Sequence, residues 1–171
     1  RVIICRIGWM KYYKGPQIGD PKPVGGGEYN RKKIGHEAFN YKEINGYFYG
    51  FVQYRGYRVN LKRIDPKADK SYLDNTLVIF VAKHPSNYGQ RVVGWYNEAR
   101  ILEKVKKNRI KQRMNFLYNI IAFTNKSVLL PTGLRIHVVP SGRNGLGQSN
   151  ITYLLDSNYK QKKFHLVKIF Y

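Results

Sequence analysis

Apolar residues in this chain fall in short runs broken by Gly, Pro, Asn and Asp, a rhythm that belongs to strands rather than long amphipathic helices. The first run, "VIICRIGW" at residues 2–9, reads as a buried strand. Residues 14–36, "KGPQIGDPKPVGGGEYNRKKIGH", form a long Gly-, Pro- and Lys-rich loop, of a length usually kept for function or motion. In "EAFNYKEINGYFYGFVQYRG" two aromatic, alternating runs flank Asn45-Gly46, a strong hairpin signal. "YRVNLKRI" at 57–64 reads as a further strand, followed by the polar connection "DPKADKSYLDN". "TLVIFVAKHP" at 76–85 is apolar on both faces, which predicts a central strand.

"SNYG" then turns the chain, and "QRVVGWYNEARILE" returns as the second arm of a hairpin. Beyond the basic stretch "KVKKNRIKQR", the segments "NFLYNIIAFTN", "SVLLP" and "LRIHVVP" read as shorter strands. The tail, residues 149–171, is the most helix-like part, with Ser149 or Asn150 as N-cap. Together these elements predict a single α+β, mostly β domain over residues 1–171: a curved sheet or small β-barrel with one or two peripheral helices.

Charge changes the picture most. Thirty-one Lys and Arg face ten Asp and Glu, a net charge of +21 and a pI near 10.1. At 43% hydrophobic and 15% aromatic the chain is built to fold. Folded, basic and ring-rich together point to nucleic acid, because cations displace counterions from phosphates while rings stack on bases. An anionic membrane is the rival partner, but no basic amphipathic helix is present to lie on it. The lone Cys5 fits a reducing compartment, no segment has a signal-peptide or membrane-span layout, and a cytoplasmic, prokaryotic setting is expected. Arg1 in place of a methionine fits a segment of a longer protein.

The tools of catalysis are thin. His36, His84, His137 and His165 are scattered, with no metal-ligand spacing, so neither metal nor cofactor is expected. "GRNGLG" at 142–147 lacks the context of a phosphate loop. Glu37 and Glu43, Asp65 and Asp69, and Glu98 and Glu103 are the close acidic pairs, and none has a nuclease arrangement. A metal-dependent nuclease is therefore weaker than a DNA-binding or an RNA-binding module as a reading of this composition.

Rings beside polar groups stand out instead. Trp9, His36, Glu37, Asn40, Tyr41, Tyr49, Trp95 and Tyr96 combine stacking surfaces with amides and carboxylates that suit base edges. Each ring also has an ordinary use in core packing or cross-strand pairing. In "GWY" the neighbours Trp95 and Tyr96 point to opposite faces of a regular strand, so one enters the core and the other, assigned here to Trp95, is offered outward. Arg31, Lys32 and Lys33, and the run Lys104, Lys106, Lys107, Arg109, Lys111 and Arg113, are the candidate phosphate contacts.

The stretches "IGWMKYYKG", "GGGEYN", "GHEAFNY", "GYFYGFV", "VVGWYNEARI", "VLLP" and "RIHVVPSGRNGLGQSNITY" together resemble the N-terminal domain of modification-dependent (type IV) restriction endonucleases, in the broad PUA, EVE and YTH-like group. The resemblance implies a base-reading β-barrel that takes a flipped, modified base into an aromatic cage and directs an attached nuclease or motor module. By position it implies Trp9 and Trp95 as cage walls, with Asn40 and Glu37 at the base edge.

Overall fold

The computed structural model describes residues 1–25, 29–54, 56, 58–86, 89–107, 116–140 and 145–154. Among these residues nine strands make one mixed sheet: β1 (Val2–Ile7), β2 (Glu43–Ile44), β3 (Tyr47–Gly50), β4 (Tyr72–Lys83), β5 (Gln90–Lys107), β6 (Leu117–Phe123), β7 (Ser127–Leu129), β8 (Val138–Val139) and β9 (Ile151–Tyr153). Their order is β2-β3-β6-β5-β4-β1-β9, with β7 and β8 also on β5. The path is open, so the sheet curves without closing. β1 runs parallel to β4, and every other pairing among these strands is antiparallel.

The predicted central strand is central. β4 lies between β1 and β5, and its alternation fills two cores. Val78, Phe80 and Ala82 join Ile3, Cys5 and Ile7 in the larger cluster. Ile79 and Val81 join Ile4 in a smaller cluster on the opposite face, closed by Val139, Leu146 and Leu154. β5, at 18 residues, is the spine of the sheet. One edge pairs with β4; the other is shared by β8 and β7 along its first half and β6 along its second. Register shifts in the β4–β5 ladder, with Asn75 at φ 55° and Glu98 at φ 50°, mark bulges of the kind that bend a sheet.

Both predicted hairpins form. Asn45 and Gly46 take φ of 51° and 79°, the left-handed pair that joins β2 to β3. β4 and β5 pair antiparallel up to Lys83 and Gln90, with residues 87 and 88 between them outside the described residues. Three expectations are corrected. The first strand ends at Ile7, and Trp9 makes an isolated bridge to Val24. Within residues 57–64, Arg58 makes a single bridge to Lys104, and Leu61–Arg63 is a 3-10 turn rather than a strand. Ile151–Tyr153 pairs with β1, so no helix starts at Ser149 or Asn150; the tail from 155 lies outside the described residues. Helix is confined among the described residues to the four-residue α1 (Tyr29–Lys32) and several 3-10 turns. None is long and apolar enough to cross a membrane.

Candidate nucleic-acid interface

The "GWY" triplet resolves as alternation requires. Along β5, Gly94 lies opposite Phe80, Trp95 opposite Ile79 and Tyr96 opposite Val78. Tyr96 is fully buried, its ring 4.8 Å from Phe80 and 5.2 Å from Tyr41, and its hydroxyl donates to the Asn40 carbonyl. Trp95 points to the other face, half-buried against the smaller cluster. The glycine makes room for a neighbour. A Cβ on Gly94 would stand 2.3 Å from Tyr41 Oη and 2.3 Å from the Val128 carbonyl oxygen, between which a 2.9 Å hydrogen bond runs. Tyr41 is buried with that bond made, and burial drives its hydroxyl pKa well up.

Trp9 and Trp95 are not brought together. Trp9, 8% exposed, belongs to the larger cluster, while Trp95 packs on the opposite one. Against Trp9 stand the His84 ring, edge-on at 4.8 Å, and the guanidinium of Arg135 at 4.9 Å. Arg135 donates to the carbonyls of Met10 (2.6 Å), Lys11 (2.8 Å) and Leu130 (2.9 Å). Burial pulls its pKa down, with Tyr13, Tyr41 and Asp20 opposing that shift. Nothing in the one-dimensional pattern marks Arg135, because two of the three carbonyls it holds are 124 and 125 positions away in sequence.

The base-edge candidates have internal partners. The Glu37 carboxylate accepts from Asn30 Nδ2 at 2.8 Å and from the Gly8 amide at 3.4 Å, tethering the long loop to the end of β1. Asn40 is fully buried, and its amide both accepts from the Phe51 N–H (2.8 Å) and donates to the Phe51 carbonyl (3.1 Å). Asn119 does the same for Val52. Two side chains thus complete the backbone ladder where the chain leaves the sheet after β3.

His36 is half-buried, with Phe51 at 5.0 Å, Phe116 at 5.1 Å and Tyr29 at 5.9 Å. Tyr29 is 49% exposed, and Arg31, Lys32 and Lys33 beside it are exposed. A ring pair and three cations therefore share one short segment. Lys104, Lys106 and Lys107 are exposed at the end of β5, whereas Arg109, Lys111 and Arg113 lie outside the described residues. Near this end of β5 a cleft of about 740 Å³ carries Arg58, Lys62 and Lys70 with Asn60, Asp69 and Glu103.

Tyr49 belongs to a row that sequence reasoning only half found. On β3, Phe48 and Gly50 face inward against Tyr96. Tyr47 and Tyr49 take the other face, where Tyr47 stands opposite Phe123 and Tyr49 opposite Ile121 on β6. Ring centroids lie 4.8 Å apart for Tyr47–Phe123, 6.4 Å for Tyr47–Tyr49 and 5.2 Å for Tyr49–Tyr118. All four rings remain partly exposed.

The acids are largely engaged. Asp20 accepts from the Lys11 and Tyr12 amides, while Asp65 pairs with Arg1, Asp74 with Arg100, Glu98 with Lys126 and Glu103 with Arg58. No group of three or more His, Cys, Asp or Glu among the described residues could hold a metal ion. Comparison of the chain with protein-family models, with curated proteins and with solved structures gave no match.

Proposed function

We propose that this chain is a DNA-binding specificity module that grips phosphates with its positive field, reads an extruded, modified base and serves an effector nuclease or motor module. The observation that carries the reading is the charge balance. Ten carboxylates stand against 31 Lys and Arg, and those described are mostly buried on amides or already paired. A surface this positive draws in a polyanion by counterion release. Exposed cations at Arg31–Lys33 and at Lys104, Lys106 and Lys107 supply contacts at two places on the fold.

The base-reading part rests on an outward ring. Extruding a base costs a few kcal/mol and stacking returns about 1–3 kcal/mol per base, so one ring and a few hydrogen bonds can tip the balance. Trp95 is the reader ring in this proposal, because Trp9, Tyr41 and Tyr96 are packed inside. The cleft at the other end of β5, eight residues along the strand from Trp95, is a separate place where Arg58, Lys62 and Lys70 offer further phosphate contacts. A methyl group adds only about 1 kcal/mol of apolar burial, so the wrong base must also be excluded by shape.

The test is binding of one short duplex in unmodified, N6-methyladenine, 5-methylcytosine and 5-hydroxymethylcytosine forms, with matched RNA. Preference for one modified duplex, lost in Trp95→Ala while general binding persists, is the expected result. Equal affinity for all four duplexes refutes the reader, and tighter binding of the RNA replaces it with a PUA-type RNA module.

A further inference from the structure

Resting on the nucleic-acid reading, we infer that the outer face of β3 and β6 is a second site, a stacking platform for an unpaired nucleic-acid strand. Tyr47, Tyr49, Tyr118 and Phe123 form a continuous row in which no ring is fully buried, and Phe123 is 46% exposed. Large partly exposed rings in a line, on a sheet face, are what sequential bases stack on. Cross-strand pairing alone does not call for so many rings on one open face, since the same strands already turn Phe48, Ile120 and Ala122 inward.

Charge selects the occupant. The strand next to the row, β5, places Lys106 directly opposite Tyr118 and Arg100 directly opposite Ile121. Arg100 is held in place by a two-bond contact with Asp74 and lies over the Tyr72 ring at 4.4 Å. Lys107, one residue on from Lys106, is exposed as well. An apolar protein partner has no use for this fringe, whereas a strand with phosphates on one side and bases on the other fits both features. The row lies on the side of β3 away from Tyr96, so its occupant does not need an extruded base to enter a pocket.

The test is fluorescence anisotropy of a labelled oligothymidine of about ten nucleotides, a length within the usual range for such sites. It compares the wild-type chain with Tyr47→Ala/Tyr49→Ala and with Tyr47→Phe/Tyr49→Phe. The double alanine variant is expected to bind roughly ten- to hundredfold more weakly, and the double phenylalanine variant to bind as wild type, because stacking needs the ring and not the hydroxyl. The same variants are assayed on the duplex, whose affinity is expected to change less than threefold.

Four results overturn the platform. Undiminished oligothymidine binding by the double alanine variant shows that the strand sits elsewhere. Loss in the phenylalanine variant shows that the hydroxyls, not the rings, make the contact. Parallel loss on oligothymidine and duplex shows one shared surface. Failure of the wild-type chain to bind any nucleic acid overturns the parent reading as well, which separates the two failures.

Discussion

Single residues in this fold are chosen for what their neighbours need. Gly94 is the clearest case, since a methyl group there meets both partners of the Tyr41–Val128 hydrogen bond at 2.3 Å. One of those partners is backbone and cannot swing away. Gly94→Ala is therefore expected to lower stability by about 1–3 kcal/mol, the ordinary cost of overpacking, as read by urea unfolding. A variant as stable as wild type would show that β7 shifts to make room.

The buried hydroxyls make a second prediction at this scale. Burial pushes the pKa of Tyr13 and Tyr41 up from 10.0, and that of Tyr54 up to about 12. A group whose folded pKa is raised contributes nothing adverse while both states are protonated. Above pH 10 the unfolded chain ionises first, so stability falls as pH climbs from there toward the folded values. Each of the two fully buried tyrosines lowers stability by about 1.4 kcal/mol per pH unit in that window. Alkaline unfolding with an onset near pH 10, tracked by tyrosinate absorbance, is expected; flat stability to pH 12 contradicts it.

Among the elements, the exit from β3 shows what a sequence pattern conceals. Periodicity located the Asn45-Gly46 hairpin, the central β4 and the β4–β5 hairpin, because each is encoded by near neighbours. It also extended a strand over 57–64, where Val59 and Leu61 alternate as on a strand, although Ile64 falls three positions on from Leu61. The structure turns them inward through a 3-10 turn instead, all three joining the larger core. The backbone at Phe51 and Val52 is satisfied by Asn40 and Asn119, 11 and 67 positions away.

That long-range pairing explains why Asn40 looked like a base-edge reader, as an amide amid rings is the same in sequence whatever it bonds. Asn40→Leu leaves a buried N–H and a buried carbonyl without partners. It is expected to lower stability by about 2–5 kcal/mol, with Asn119→Leu similar. Chemical denaturation measures both, and a neutral Asn40→Leu would remove the amide clamp from the account.

The candidate site was legible in its residue types and illegible in its assembly. The "GWY" alternation gave the two faces correctly, and His36 does stand with Arg31, Lys32 and Lys33 beside an exposed Tyr29. The cage drawn from Trp9 and Trp95 did not assemble, since which face each ring takes depends on the order of strands across the sheet. Tyr118 and Phe123 join Tyr47 and Tyr49 only once β6 is known to lie beside β3. An alternation of rings was visible in each strand, but nothing local says which strands are neighbours.

For the whole molecule the decisive property is the field. A net charge of +21 on 171 residues repels itself in the folded state, and the cores on the two faces of β4 offset that repulsion. A polyanion relieves that repulsion, and binding should accordingly stabilise the fold.

The central claim is tested most directly by the salt dependence of binding to a short DNA duplex. With several phosphates neutralised, the logarithm of the affinity is expected to fall linearly with the logarithm of salt concentration. A slope of magnitude about 4 or more, with measurable binding retained at moderate salt by the preferred modified duplex, is the predicted result. No binding even at low salt, or an affinity indifferent to salt, would contradict a nucleic-acid interface.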